Sequence, residues 1–278
     1  MRAVIRRLLG RRGAVLALLY LVGIALAAGL APVIPGIDPL GQDLTSTLEP
    51  PSGEHWFGTD ELGRDLMSRT IHGARISLLT AAGAVVLAAV LGVPIGLVAG
   101  FFGGWRDAVL MRGVDVLLAL PGILFAMALI AVLGRSQAAA LVAVGITGIP
   151  GFARITRAQV LALRRRDFVL AVEALGGTAG YTMFRTVLPN AWSPILVQAV
   201  ILSSVAILLE AALSFLGVGI PPPAPSWGDM LRTGKGFLYE APYYAVLPGL
   251  VLTLTILALD TLGRALAAVL DERDGGAA

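Results

Sequence analysis

Six stretches of the chain, residues 14–34, 76–105, 116–134, 136–153, 186–209 and 241–259, contain no Asp, Glu, Lys or Arg. Each reaches about the 18–20 apolar residues that a helix needs to cross the hydrocarbon core of a bilayer. The pattern therefore predicts an all-α integral membrane protein with six transmembrane helices. Residues 1–13 form a basic amino-terminal segment, 14–34 the first span, 35–75 a polar loop, 76–270 a five-helix core and 271–278 a short tail. Basic residues before the first run and small residues after it also fit a secretory leader, but the apolar stretch is longer than a leader requires, and the expectation is an uncleaved anchor.

Arginine placement orients these spans. With the amino terminus inside, fifteen basic residues fall on the cytoplasmic side or its edge, among them Arg6, Arg7, Arg11, Arg12, Arg106, Arg112, Arg154, Arg157, Arg164, Arg165 and Arg166. Six fall outside, namely Arg64, Arg69, Arg75, Arg135, Arg232 and Lys235. This bias obeys the positive-inside rule and puts both termini in the cytoplasm. The loop at 35–75 is then external, and its 38–75 part carries seven acids against three arginines. Its glycines and prolines suggest turns, with a short amphipathic helix over 60–71.

Prolines sit inside five predicted spans, Pro94, Pro121, Pro150, Pro194 and Pro248, where each removes a backbone hydrogen bond and can kink its helix. The longest cytoplasmic segment, 164–190, reads as a hairpin. Residues 168–175 are helix-like, Gly176 and Gly177 end that helix with left-handed backbone angles, and Thr178 caps a second helix that stops before Pro189. In the last external loop Pro221, Pro222, Pro223 and Pro225 predict a stiff, extended strap.

Composition narrows the chemistry. The chain is 57% hydrophobic and 14% charged, with mean hydropathy +0.84. It has no cysteine and two histidines, His55 and His72, poor material for thiolate metal sites or histidine catalysis. The only lysine, Lys235, is followed by Gly236, so no P-loop is present and any ATP must be bound by another chain. The net charge of +3 is accounted for by membrane orientation and points to no nucleic acid. The expectation is a subunit that is not itself an enzyme.

The segment "LAVEALGGTAGYTMFRTVLP" resembles the EAA loop of bacterial ABC-importer permeases, with Gly176 thirteen residues before the proline of the pair Leu188 and Pro189. Leu170 and Thr186 stand where the general pattern has glutamate and isoleucine, so the match is to the peptide-permease variant. "HWFGTDELGRDLMSRTIHGARISL", "EAALSFLGVGIPPPAPSWGDML" and "APYYAVLPGLVLTLTILALDTLGRAL" resemble the DppC/OppC branch, a dipeptide and oligopeptide group related to nickel permeases. The resemblance covers His55 to about Leu270. It implies the type I ABC-importer permease fold in a bacterial inner membrane and a heterodimer with a DppB/OppB-like permease. It also implies two partner ATPases that bind ATP and magnesium, an external substrate-binding protein and a peptide substrate.

On that resemblance the 164–190 hairpin is the coupling element that enters a groove on one ATPase. Glu173, Ala174, Leu175, Gly176, Gly177, Tyr181, Arg185, Leu188 and Pro189 are its candidate residues; for Glu173 a solvated charge is the plain alternative. Gly58, Thr59, Asp60, Gly63, Arg64 and Asp65 form an external cap that contacts the partner permease or the binding protein. The plain alternative is a self-satisfied turn in which Asp60 or Asp65 pairs with Arg64 or Arg69.

Three ionisable residues lie in or beside spans. Asp260 is expected to pair with Arg264 and Asp115 with Arg112, each one turn away or nearer. Glu210 has no sequence-near partner and is a candidate for the peptide path or for helix packing. Trp227 reads as an interfacial anchor. Two other readings of the chain stand beside peptide import: the same machine carrying nickel chelates or glutathione, and an ATP-independent secondary transporter, which inverted repeats and buried charges would favour.

Overall fold

The computed structural model describes residues 7–33 and 38–275, with side chains through residue 270. Arg2 and Arg6 lie outside what is described, as does the side chain of Arg273. Among the described residues the regular secondary structure is helical, apart from one isolated bridge between Thr59 and Asp65. The long helices are α1 (Arg12–Leu30), α2 (Leu66–Phe102), α5 (Gln137–Leu163), α9 (Trp192–Phe215) and α11 (Tyr243–Gly275). All five are long and apolar enough to cross a membrane. The shorter ones are α3 (Gly104–Leu118), α4 (Gly122–Leu133), α6 (Asp167–Ala174), α7 (Ala179–Tyr181), α8 (Leu188–Asn190) and α10 (Trp227–Gly234).

The expected third span, 116–134, is broken. Helices α3 and α4 meet at 86° across Ala119–Pro121, and only together do they supply a sixth crossing. Pro121 caps α4 instead of kinking a continuous helix, because its ring fits a helix start and its predecessor is driven out of the helical region. Pro194 likewise stands in the first turn of α9, where its missing N–H would have had no helical partner. Pro94, Pro150 and Pro248 do lie inside their helices.

Helix α3 is clasped to α5 by charge. Arg157 Nε and Nη2 donate to Asp107 Oδ1 and Oδ2, both at 2.6 Å, and Arg154 Nη2 donates to Asp115 at 2.8 Å. The expected partner of Asp115, Arg112, lies on the same helix, whereas the fold brings a guanidinium from α5 within reach. Asp260 pairs with Arg264 at 2.6 Å as expected.

The centre of the bundle is the α2–α5 pair, which meets backbone to backbone. Gly92, Gly96 and Gly100 of α2 recur every fourth residue and face α5. A Cβ on Gly92 would sit 2.7 Å from the Ile149 carbonyl and one on Gly100 2.9 Å from that of Arg157; at Gly96 it would collide with the Ala153 carbonyl. A small residue every four positions lets membrane helices approach closely where apolar burial gives little drive. The chain between Leu216 and Trp227 turns at 222–224 instead of running as an extended strap. Its fold-back buries Trp227 completely, and the indole Nε1 donates to the Thr70 carbonyl at 2.9 Å. Trp227 is thus a core residue held against α2, and not an anchor on the surface.

Candidate functional sites: a polar cap and a projecting hairpin

The stretch from Gly58 to Asp65 folds around one buried carboxylate. Asp60 Oδ1 accepts from the backbone N–H groups of Leu62 and Arg64, both at 2.9 Å. Its Oδ2 accepts from Arg64 Nε at 2.6 Å and lies 3.4 Å from Arg69 Nε. Arg69 Nη1 in turn donates to the Pro39 carbonyl at 3.0 Å. A buried charge persists where it is paired and its remaining lone pairs are satisfied, and Asp60 meets both conditions.

Asp65 performs a different task. It caps α2, accepting from the Ser68 N–H at 2.6 Å, and its other oxygen accepts from His55 Nδ1 at 2.9 Å. A carboxylate at a helix start satisfies a free N–H and complements the helix dipole. That cap explains why the expected short helix over 60–71 does not form by itself. The chain is a tight turn up to Asp65, and from Leu66 one helix of 37 residues runs through to Phe102, so Arg75 belongs to α2 and not to the loop.

Glycines make the turn possible. Gly58 and Gly63 have φ of +76° and +68°, and a side chain on Gly63 would collide with the Asp43 carbonyl. Thr59 ties the turn to the preceding loop: its hydroxyl donates to the Ser46 carbonyl at 2.5 Å and accepts from the Glu49 N–H at 2.8 Å. The cap is fastened to α11 by Tyr243, which donates to the Leu48 carbonyl at 2.6 Å, and by Tyr244, which donates to Glu61 at 2.5 Å. Leu66, Met230, Ala241 and Tyr244 pack beneath it. Farther out, the exposed Asp43 carboxyl is held below its ordinary pKa, chiefly by hydrogen bonds from the Thr45 hydroxyl and N–H.

The hairpin over 164–190 has the opposite character. Its root is apolar: Val169 of α6 is buried with Leu97 and Phe101 of α2, Val160 of α5, and Met183 and Val187. Arg164 stacks its guanidinium 5.1 Å from the Phe101 ring, adding a cation–π contact at the same junction. The turn closes as a Schellman motif, with Gly177 N–H donating to the Val172 carbonyl at 2.9 Å and Gly176 N–H to that of Glu173 at 3.0 Å. Gly176 alone takes the left-handed angle, φ +85°. Gly177 is required for space instead, since a Cβ there would lie 2.7 Å from the Val172 carbonyl.

Thr178 caps the second arm, its hydroxyl accepting from the Tyr181 N–H at 3.3 Å. That arm does not stop before Pro189. It passes from α7 through a π-helical turn, Thr182–Val187, into α8, whose first turn accommodates Pro189. Proline is tolerated there because its nitrogen owes no helical bond.

Structure places the candidate hairpin residues on one projecting element. Glu173, Ala174, Leu175, Gly176, Tyr181, Arg185 and Pro189 are exposed, and Gly177 and Leu188 are half-buried. Leu175 is 90% exposed and Tyr181 57%. The Glu173 carboxylate has no hydrogen-bond or ionic partner among the described residues.

Glu210 lies within the bundle, fully buried. Ser77 Oγ of α2 and Ser214 Oγ of α9 donate to its two oxygens at 2.8 and 2.9 Å. These contacts join α2 to α9. The serine of α2 is 133 positions away, a separation that no local sequence pattern reports.

A family model described as "binding-protein-dependent transport system inner membrane component" matches residues 92–273. A second, described as the N-terminal TM domain of oligopeptide transport permease C, matches residues 1–51. The dipeptide transport system permease protein DppC of Alkalihalophilus pseudofirmus is 38% identical over 272 residues, covering 98% of this chain and 90% of the relative. The di/tripeptide transport system permease protein DppC of Pseudomonas aeruginosa is 41% identical over 268 residues, covering 94% of this chain and 88% of the relative. Among solved structures, an inward-facing MetNI methionine ABC transporter matches with TM-score 0.56 over 72% of this chain and 97% of that chain, at 19% identity. That likeness concerns the fold, which is the ABC-transporter permease fold expected from the sequence.

Proposed function

The chain belongs to the family of binding-protein-dependent transport system inner membrane components, and from that premise we propose that it imports dipeptides and short oligopeptides as one half of a heterodimeric permease. It is the multi-pass permease subunit of an ABC importer. Its partners on this reading are a second permease, two ATPase subunits that bind ATP and magnesium, and an external peptide-binding protein. The membrane is the bacterial inner membrane, with both termini and the hairpin in the cytoplasm, in keeping with the arginine bias.

The observation that carries this reading is the inner hairpin: an apolar tip left in solvent on a root welded to α2 and α5. An exposed Leu and Tyr on a short rigid element suit insertion into a groove of another protein. Because Val169 shares one buried cluster with Leu97, Phe101 and Val160, a displacement of the tip would be passed to the adjoining ends of the two central helices. ATP-driven closure of the ATPases would move the hairpin, and the bundle would open outward to receive peptide from the binding protein. The proline-bearing α2, α5 and α11 are the elements best suited to bend.

The decisive experiment is purification of the tagged chain with its partner permease and ATPases, followed by ATP-dependent uptake of a labelled dipeptide library into proteoliposomes in the presence of the binding protein. Peptide uptake that is lost in Gly176→Trp, with the chain still inserted, supports the reading. Recovery of the chain alone, without ATPases, or uptake of a nickel chelate or glutathione and not of dipeptides, overturns its corresponding part.

A further inference from the structure

Between α5, α9 and α11 runs an open groove lined by Ile155, Gln159, Ser193, Val197, Gln198 and Ile201, with Ala267 and Leu270 closing its far wall. It lies at the inner end of the bundle, two residues beyond Arg157 on α5 and one turn beyond the hairpin's exit on α9. The two glutamines are the unusual feature. Both side chains are half-buried, and neither carboxamide has a hydrogen-bond partner among the described residues. The Ser193 hydroxyl has none either.

Polar side chains in a membrane-spanning bundle normally find partners in neighbouring helices, since leaving them dry is costly. Gln137, for comparison, donates to Thr80 at 3.4 Å. The position opposite Gln198 is a glycine. A Cβ on Gly151 would stand 2.6 Å from Gln198 Nε2, so the absent side chain gives the carboxamide its place in the groove.

Groups in the groove define what it can hold. Among the described residues no Asp, Glu, Lys or Arg lines it, so the described walls offer no counter-charge to a carboxylate or an ammonium group. Two carboxamides and a hydroxyl offer both donors and acceptors between apolar walls. The neutral group that complements a carboxamide is another amide, whose N–H and C=O match it in one plane.

We propose that this groove is a subsite on the transport path that holds the main-chain amide of the passing peptide, through Gln159 and Gln198, without reading its side chains. The proposal rests on the peptide-import reading. A site that binds main chain alone serves many peptides equally, and its place beside the root of the hairpin exposes its width to the motion that drives transport.

The test uses the complete transporter in proteoliposomes with its binding protein. Gln159→Leu/Gln198→Leu is expected to lower uptake of a labelled dipeptide library at least about tenfold, the equivalent of one to two hydrogen bonds. Co-purification of the partner subunits and stimulation of ATP hydrolysis by the loaded binding protein should stay at wild-type levels. Since the chain has no cysteine, Gln198→Cys also gives it a single thiol. Labelling of that chain by a water-soluble maleimide should slow severalfold when dipeptides are being transported.

Unchanged uptake in the double variant, or labelling indifferent to peptide, overturns the subsite while leaving peptide import standing. Loss of the partner permease from the purified complex overturns it in favour of a subunit contact. Absence of dipeptide uptake by the wild-type transporter overturns the import reading, and the subsite with it.

Discussion

The polar cap at 58–65 and the hairpin at 164–190 are both polar interruptions of an apolar chain, yet they are built on opposite terms. In the cap nearly every group is answered from within: Asp60 meets Arg64 and Arg69, Asp65 meets Ser68 and His55, and Thr59 meets Ser46 and Glu49. In the hairpin only the root is answered, and Leu175, Tyr181, Glu173 and Arg185 are left to solvent. The first is a finished structure that ties the start of α2 to α11. The second is unfinished, and on the proposed function a partner supplies its remaining contacts. The self-satisfied turn is therefore present in the cap, whatever its outer surface also touches.

The strongest way to break the comparison is to take the cap's central charge away. Asp60→Ala leaves two buried guanidinium groups without their carboxylate and should cost about 3–5 kcal/mol, the usual loss when one partner of a buried pair is removed. Thermal unfolding in detergent and protein level in the membrane would report it; a variant as stable as the parent would show that the cap does not tie α2 to α11.

Glycine replacements compare the two regions directly. Gly63→Ala meets both an unfavourable angle and the Asp43 carbonyl, and should destabilise by about 3 kcal/mol. Gly176→Ala has open space around it and meets the angle alone, so about 1 kcal/mol is expected. Equal melting-temperature shifts would contradict the contrast.

Leu175→Asp should leave stability within about 0.5 kcal/mol of the parent, as for most exposed positions. On the proposed coupling role, peptide uptake driven by ATP should nevertheless fall, because the change would put a charge where the apolar tip is expected to enter an ATPase groove. A stability loss without an uptake defect would make the tip structural after all.

The smallest effect concerns Asp43. Its folded pKa lies below the ordinary value of 3.8, so the carboxylate form stabilises the loop above that value, and the contribution disappears as pH falls through the lowered folded pKa. Asp43→Asn should therefore lower stability slightly at neutral pH, with the difference from the parent disappearing as pH falls through the carboxylate range. Melting curves between pH 3 and 7, chosen to bracket the carboxylate range, would detect it.

Uncharged runs, a proline inside α2, α5 and α11, and a glycine at the hairpin turn are local properties, and each was readable along the chain because its physical cause lies within a few residues. Bilayer crossing depends on length and hydropathy, helix termination on backbone angles, and family membership on short motifs. The glycine series Gly92, Gly96 and Gly100 was equally visible, although its spacing does not say which helix it would face.

What only the tertiary structure decided are the pairings across distance. Asp115 chose Arg154 over the nearer Arg112, Glu210 met Ser77, Trp227 went inside to reach Thr70, and the 116–134 span broke into two helices, one of them held to α5 by ion pairs. The reason is physical. In an apolar bundle hydropathy sets that a segment is buried but not against what, and a polar group's partner is chosen by which helix packing brings within about 3 Å of it.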